Sequence, residues 1–163
     1  MVDQYRVPKR QVVAEVVLFG QPGTRVTLFL GENAESHAGP ERPSDLLNGA
    51  SDFIAATETS GGYILLRRDA LTCVSVPAAS EFGSEGDRAE ELAAAQATSM
   101  QVETTLEDGS KVRGTIRYLM PEGRSRLIDF LNLREAFLTL RDGDRALLIN
   151  KQRIARITTL GPR

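Results

Sequence analysis

Tryptophan is absent from this chain of 163 residues, and cysteine and histidine occur once each. These shortages remove several chemistries before any fold is considered. A single thiol, Cys73 in the apolar run "ALTCVSV", cannot close an intramolecular disulfide or anchor a cysteine-rich zinc site, and it reads as a small buried hydrophobe. His37 lies in the polar stretch "GENAESHAGPERP" with no other His or Cys nearby, which reads as a solvated loop histidine and leaves catalytic triads without members. No "G-x-x-x-x-G-K-[ST]" phosphate loop occurs, and "DGD" at Asp142–Asp144 reads as a hairpin turn because it lacks the further ligands of a calcium loop. No cofactor, no metal and no enzymatic activity are expected. No apolar run approaches the roughly 18 residues a membrane span needs, and "MVDQYRVPKR" is not followed by the apolar segment and cleavage site of a signal peptide. The expectation is a cytoplasmic protein with no membrane insertion.

What is present is the composition of a soluble globular protein, 41% apolar and 26% charged. Its charge is unevenly spread. Residues 1–76 carry 7 basic and 9 acidic groups, 77–100 carry 1 and 5, and 101–163 carry 12 and 8. The last segment is therefore the basic one, an asymmetry that suits an anionic partner or an ordinary solvated surface.

The chain also repeats itself. "RPSDLLN" at Arg42–Asn48 reappears 84 positions later as "RLIDFLN" at Arg126–Asn132, bringing Asp45 onto Asp129 and Phe53 onto Phe137. One deletion further on, "YILLRRDALTCVSV" overlays "ALLINKQRIARITT", pairing Leu65 with Leu148, Leu71 with Ile154 and Val74 with Ile157. Upstream, "VVLFGQPGTRVTLFL" and "VETTLEDGSKVRGTI" are both β-rich runs broken by a glycine turn at Gly23 or Gly109. Self-similarity at a fixed offset marks a duplicated unit.

The predicted fold is mainly β with short helices: two tandem small Sm/SH3-like barrel modules, each strand-strand-helix-strand-strand, joined by an acidic linker. The boundaries are a tail over 1–10, a first module over 11–76, a linker with a short helix in "DRAEELAAAQA" over 77–100, and a second module over 101–160. The helix in "RSRLIDFLN" is expected to run about two turns, with Ser125 as N-cap and Asn132 at a left-handed C-terminal position. Short strands close most economically into a barrel, which hides their edges. Modules this small bury modest cores, so the two are expected to pack together or on another chain.

"VETTLEDGSKVRGTIRYL" resembles the first signature of Sm-like (LSm) barrels through Leu106, Asp108, Gly109, Val112, Gly114 and Ile116, and "LLINKQRIARI" is similar to their closing signature through Ile154 and Ile157. The resemblance implies a strongly bent small barrel. It implies RNA binding less well, because "MPEGRSRLIDFLN" stands where the family has a short turn and Asn150-Lys151 stand where it has an Arg-Gly pair. The repeat pattern is also loosely similar to small bacterial β domains with no assigned function.

Three sets of residues are candidates for function. Arg42, Asp45, Asn48 and their counterparts Arg126, Asp129, Asn132 form the repeat signature, read as structural pairs and caps. Leu46, Leu47, Phe130 and Leu131 are read as core. Lys111, Arg113, Arg117, Arg124, Arg126, Lys151, Arg153 and Arg156 form a potential basic face for nucleic acid, with Tyr118 as the one aromatic among them. Arg6 and Arg10 in "RVPKR" resemble the R-x-x-x-R motif of PilZ domains, which implies a cyclic-dinucleotide clamp, although Ala34 occupies the Asp or Asn place of that family's second motif. The leading expectation is a non-catalytic protein-interaction or adaptor protein. The partner is then another protein, a homo-oligomer is compatible with the repeat, and nucleic acid is the alternative.

Overall fold

Alternating apolar residues carry the chain from one strand to the next in a computed structural model that describes residues 9–83, 95–123 and 126–161. The N-terminal half supplies β1 (Lys9–Leu18), β2 (Thr24–Gly31), β3 (Phe53–Glu58), β4 (Tyr63–Arg67) and β5 (Leu71–Pro77). The C-terminal half supplies β6 (Thr98–Leu106), β7 (Lys111–Tyr118), β8 (Phe137–Asp142), β9 (Arg145–Asn150) and β10 (Ile154–Leu160). Short helices among the described residues include α1 (Pro43–Leu47) between β2 and β3, α2 (Ala78–Phe82) after β5, and α3 (Leu127–Leu131) between β7 and β8. The protein is mainly β.

All ten strands belong to one open antiparallel sheet in the order β10-β6-β7-β8-β9-β5-β1-β2-β3-β4. This differs from the expected pair of closed barrels. The reason lies in β5, which pairs with β1 along one edge and with β9 along the other, fusing the two halves into a continuous sheet. A fifth strand in each half also lengthens the expected strand-strand-helix-strand-strand unit. It follows a single 3-10 turn, at Arg68–Ala70 or Lys151–Arg153, where the sequence suggested only a polar turn.

The order β5-β1-β2-β3-β4 in one half is matched by β10-β6-β7-β8-β9 in the other. Registers agree in detail. Phe53 pairs with Arg67 as Phe137 pairs with Asn150, and the skipped residue where the last strand meets the first is Thr72 in one half and Ala155 in the other. The same register sets Val26 where Gly114 stands.

Two hydrophobic clusters flank the line where the halves meet. The first joins Val12, Ala14, Val16, Val26, Leu28 and Leu30 of β1 and β2 to Val74 and Val76 of β5, and it also takes Phe137, Ala146 and Leu148 from the C-terminal half. The second centres on Val102, Ile116, Leu138, Leu140 and Ile149, with Cys73 packed against it. Because side chains alternate along a strand, β5 and β9 each feed both clusters. A continuous apolar run such as Ala146–Ile149 is what such a two-sided strand requires.

The helices are shorter than predicted. α3 spans five residues, little more than one turn, and Arg126 is its N-cap, so the expected cap Ser125 falls outside the described residues. Asn48 and Asn132 end α1 and α3 with φ of −90° and −88°, not in the left-handed region. Much of the linker helix predicted in "DRAEELAAAQA" also lies outside the described residues, whereas α2 occupies the beginning of the linker and Lys9 and Arg10 of the predicted tail belong to β1.

Gly114 is required by close packing. A Cβ there would stand 2.9 Å from the Leu140 Cβ, so that something must shift, and 3.0 Å from the Arg141 carbonyl oxygen, a tight contact with backbone. Gly114→Ala is therefore expected to destabilise the protein by about 1–3 kcal/mol, the usual cost of overpacking, measured by chemical denaturation. An unchanged midpoint would show that β7 and β8 are not held this closely.

Candidate functional site

The densest set of specific contacts lies where the two halves meet. Cys73, Val74, Ser75, Val76 and Pro77 of β5 face Ile149, Leu148, Leu147, Ala146 and Arg145 of β9. Polar groups fix this register. The Arg145 Nε donates to the Ser75 Oγ at 3.0 Å, the Asn150 Nδ2 donates to the Leu71 carbonyl at 3.0 Å, and the Ala78 N–H donates to the Asp144 carbonyl at 2.7 Å. Asn48 closes the joint from the helix side: its Oδ1 accepts from the Phe137 N–H at 2.8 Å. Asn48 is thus more than a local cap, since it ties the end of α1 to the start of β8.

The other signature residues behave differently in the two halves. Asp45 accepts from the Arg42 backbone N–H at 2.8 Å, capping the first turn of α1, and also holds the His37 Nε2 at 2.7 Å. Asp129 instead takes a two-pronged contact from the Arg126 guanidinium, at 3.0 and 3.1 Å. His37 is therefore docked on α1 and not simply solvated. The Ala38 carbonyl and the Asp45 carboxylate raise its pKa above the ordinary histidine value. With Nδ1 directed at that carbonyl and Nε2 at the carboxylate, neither nitrogen is placed to take a proton from Ser36, whose Oγ reaches Asp45 instead. The helix apolar residues divide similarly: Leu47 is fully buried and Leu46 packs on the first cluster, while Phe130 and Leu131 are only half-buried.

Four of the predicted basic residues, Lys111, Arg113, Arg117 and Arg156, are exposed on one face of β7, β6 and β10, while the others lie apart or are engaged within the chain. Lys111 and Arg113 both pair with Glu103, at 3.2 and 2.7 Å, and hold its carboxyl below the ordinary range. Lys151 donates its Nζ to the Leu131 and Leu133 carbonyls, at 3.0 and 2.7 Å, capping the end of α3, and its pKa is lowered by desolvation. Arg153 reaches the Asp69 carbonyl and Glu107 and lies 4.4 Å from the Phe19 ring centre, joining the halves. Arg126 is engaged with Asp129, Arg117 and Arg156 are exposed on β7 and β10, and Arg124 lies outside the described residues. Tyr118 is buried and stacks on Phe130 with ring centres 5.1 Å apart, so it offers no platform to a base.

Of the proposed dinucleotide clamp, Arg6 lies outside the described residues and Arg10 donates to the Glu41 carbonyl at 2.9 Å. Cys73 is half-exposed by area yet its thiol is pushed up to about 11 by desolvation and the nearby Glu15. Among the described residues no three His, Cys, Asp or Glu side chains cluster to hold a metal, and no helix is long and apolar enough to cross a membrane. A cleft of about 410 Å³ between the Phe19–Gln21 turn and the Leu106–Asp108 turn is lined by Glu107, Asp108 and Arg153, the last paired with Glu107 at 3.5 Å.

The open edges of the sheet are more distinctive. Among the described residues, β4 ends it on one side and β10 on the other. Tyr63 and Leu65 on β4 and Phe53 on β3 are 68%, 60% and 57% exposed. Cross-strand pairing of Leu65 with Ala55 and of Phe53 with Arg67 puts all three aromatic and aliphatic side chains on one face of the β3–β4 hairpin. Sequence reasoning missed these residues because "YILL" reads as an ordinary core strand. The usable signal was its likeness to "ALLI" in β9, which needs burial on both faces.

No protein-family model matches the chain, and no curated protein and no solved structure matches it.

Two outcomes test the joint between the halves. Asn48→Ala leaves the Phe137 N–H without its acceptor in a half-buried position and is expected to cost about 1–3 kcal/mol in chemical denaturation, with Asn132→Ala costing less in the isolated chain. The second concerns Glu81 of α2, which is buried and accepts from the Ser44 N–H at 3.0 Å. Desolvation raises its pKa above the ordinary 4.5. A raised acid favours the folded state below its unfolded pKa and loses that contribution as pH rises through its folded value. Glu81→Gln is expected to flatten the fall in stability from pH 4.5 upwards; parallel curves for the two proteins would refute this assignment.

Proposed function

We propose that this chain is a non-catalytic protein-interaction module built from two copies of one small β unit, of the Sm/SH3-like kind its glycine-turn and closing-strand motifs resemble. The matched strand orders, registers and skipped residues of the two halves support the duplication. The single observation that carries the interaction reading is the β3–β4 face. Phe53, Tyr63 and Leu65 sit beside an open strand edge with more than half of each side chain's surface in water.

Physical chemistry gives that arrangement a use. An open edge strand presents unpaired backbone donors and acceptors, and a partner strand that adds to it gains main-chain hydrogen bonds, while flanking apolar side chains supply specificity. Fully burying each of these large side chains is worth about 1.5–3 kcal/mol before the costs of association. The competing reading, a nucleic-acid surface, loses support from the engagement of Lys111, Arg113, Arg126, Lys151 and Arg153 within the chain and from the burial of Tyr118. Catalysis loses support from the commitment of both His37 nitrogens and the protonated state of Cys73 at neutral pH.

A photoreactive amino acid placed at Tyr63 tests the reading in the native cytosol. Reproducible covalent protein adducts are expected, reduced at least about tenfold by Leu65→Asp, the size of effect that loss of a central interface residue produces. Absence of protein adducts, or adducts composed of nucleic acid, would overturn it.

A further inference from the structure

The internal joint between the halves shows what fits the open edge. We propose that the partner of β4 is β10 of a second copy of this chain, so that copies associate head to tail. This rests on the reading of the β3–β4 face as a protein-docking surface.

The first ground is topological. Within the chain, the fourth strand of the C-terminal half, β9, pairs with the fifth strand of the N-terminal half, β5. That joint uses one edge of each half and leaves the other two: β4, the fourth strand of its half, and β10, the fifth strand of its half. The free edges are thus the same two kinds that already pair. One copy's β4 can meet another copy's β10 as β9 meets β5.

Burial supplies the second ground. At the internal joint Phe137, Ala146 and Leu148 are 4%, 0% and 0% exposed because they plug into the N-terminal cluster. Their counterparts by register are Phe53, Tyr63 and Leu65, the exposed large apolar groups of the β3–β4 face. The receiving side shows the same asymmetry. Leu47, Leu71 and Val74 are fully buried by the incoming strands, whereas the matching Leu131, Ile154 and Ile157 of the C-terminal cluster are only half-buried. One end of the molecule lacks a socket for its apolar face, and the other lacks a plug for its cluster.

A specific hydrogen bond gives the third ground. Asn48 Oδ1 accepts from the Phe137 N–H across the joint. Asn132 is the same residue at the same position after α3, and Phe53 is the same residue at the start of β3. In one chain they belong to opposite halves; between copies the Asn132 side chain would receive the Phe53 N–H. This gives the repeated asparagine and phenylalanine a shared purpose. Transferring the β5·β9 register sets Ile157 opposite Leu65, Arg156 opposite Leu66 and Thr159 opposite Tyr63. Two arginines, Arg67 and Arg156, replace Asn150 and Cys73 at the new joint. α2 clasps the internal joint through the Ala78 N–H, which donates to the Asp144 carbonyl. The association is therefore weaker than the internal joint and depends on concentration. Joining unlike edges is a heterologous contact, which makes a ring when the rotation closes and a filament when it does not.

Mixing two blocked variants tests the head-to-tail geometry on the purified full chain. Leu65→Asp blocks the β4 end and Ile157→Asp blocks the β10 end. By light scattering on a size-exclusion column, wild type is expected to contain two or more copies per particle, each variant alone one copy, and their equal mixture two copies and no more. Because Ile157 is half-buried, the exposed Thr159→Asp serves as a second β10 block, and thermal melts establish that each variant is folded. Wild type that stays a single copy up to high concentration overturns the proposal, as does a mixture of folded variants that fails to pair while wild type assembles. Protein adducts at Tyr63 with a different chain, alongside a single-copy wild type, would overturn self-association and leave the docking surface standing. Absence of both would remove the two together.

Discussion

Backbone pairing between β5 and β9 sets the conditions for everything on either side of it. An antiparallel pair with alternating side chains must supply apolar groups to both of its faces, so Val74 and Val76 enter one cluster while Cys73 leans on the other, and Leu148 and Ile149 divide in the same way. Each half then depends on the other for part of its interior. The N-terminal cluster is closed by Phe137, Ala146 and Leu148 from the far half, which makes the short linker-following segment of the sheet a structural continuation and not a separate bead. Polar contacts from Arg145, Asn150 and Asn48 then exclude a one-residue slip, because such a slip would turn every one of these side chains to the wrong face.

Much of this was legible in the sequence at the level of elements. Alternation in "VETTL" and the glycines at Gly109 and Gly143, with φ of 86° and 59°, announce hairpins because only glycine adopts these turn geometries without strain. The helix in each half was also legible, though its length was not: five residues suffice where packing of Leu47 or Leu131, not helical propensity, holds the turn in place. The pairing of the strand after each 3-10 turn was not legible, since a polar turn does not reveal whether the next strand returns to its neighbour or crosses to the first strand of the half.

The site was less legible for a physical reason. Asn48 and Phe137 are 89 residues apart, and nothing local to either predicts that an asparagine side chain at a helix end will accept from a distant strand. Local charge pairing was a better guide in the second half, where Arg126 and Asp129 form the expected fork, than in the first, where His37 takes a place on Asp45. A sequence count of positive charge did not separate the basic residues that share one exposed face, Lys111, Arg113, Arg117 and Arg156, from the rest, nor show the acceptors beside them. Glu103 alone engages two of them, and carbonyls at the end of α3 engage Lys151.

Edges explain how such a sheet can remain open without becoming an indiscriminate template. β10 begins with a skipped residue at Ala155 and carries Arg156, Thr158 and Thr159, and β4 has only five residues and ends in Arg67. Bulges, short length and charge all discourage pairing with arbitrary strands. They leave an apolar row, Tyr63 and Leu65, on a strand too short to propagate a cross-β stack but long enough to be read by a partner of matched register. Recognition at such an edge depends less on backbone hydrogen bonds, which any strand can offer, than on whether the arriving surface provides a cavity for Phe53 and an acceptor for its N–H. At the internal joint the corresponding Phe137 is buried in the N-terminal cluster and its N–H is accepted by the Asn48 Oδ1, which is what a surface meeting both demands looks like.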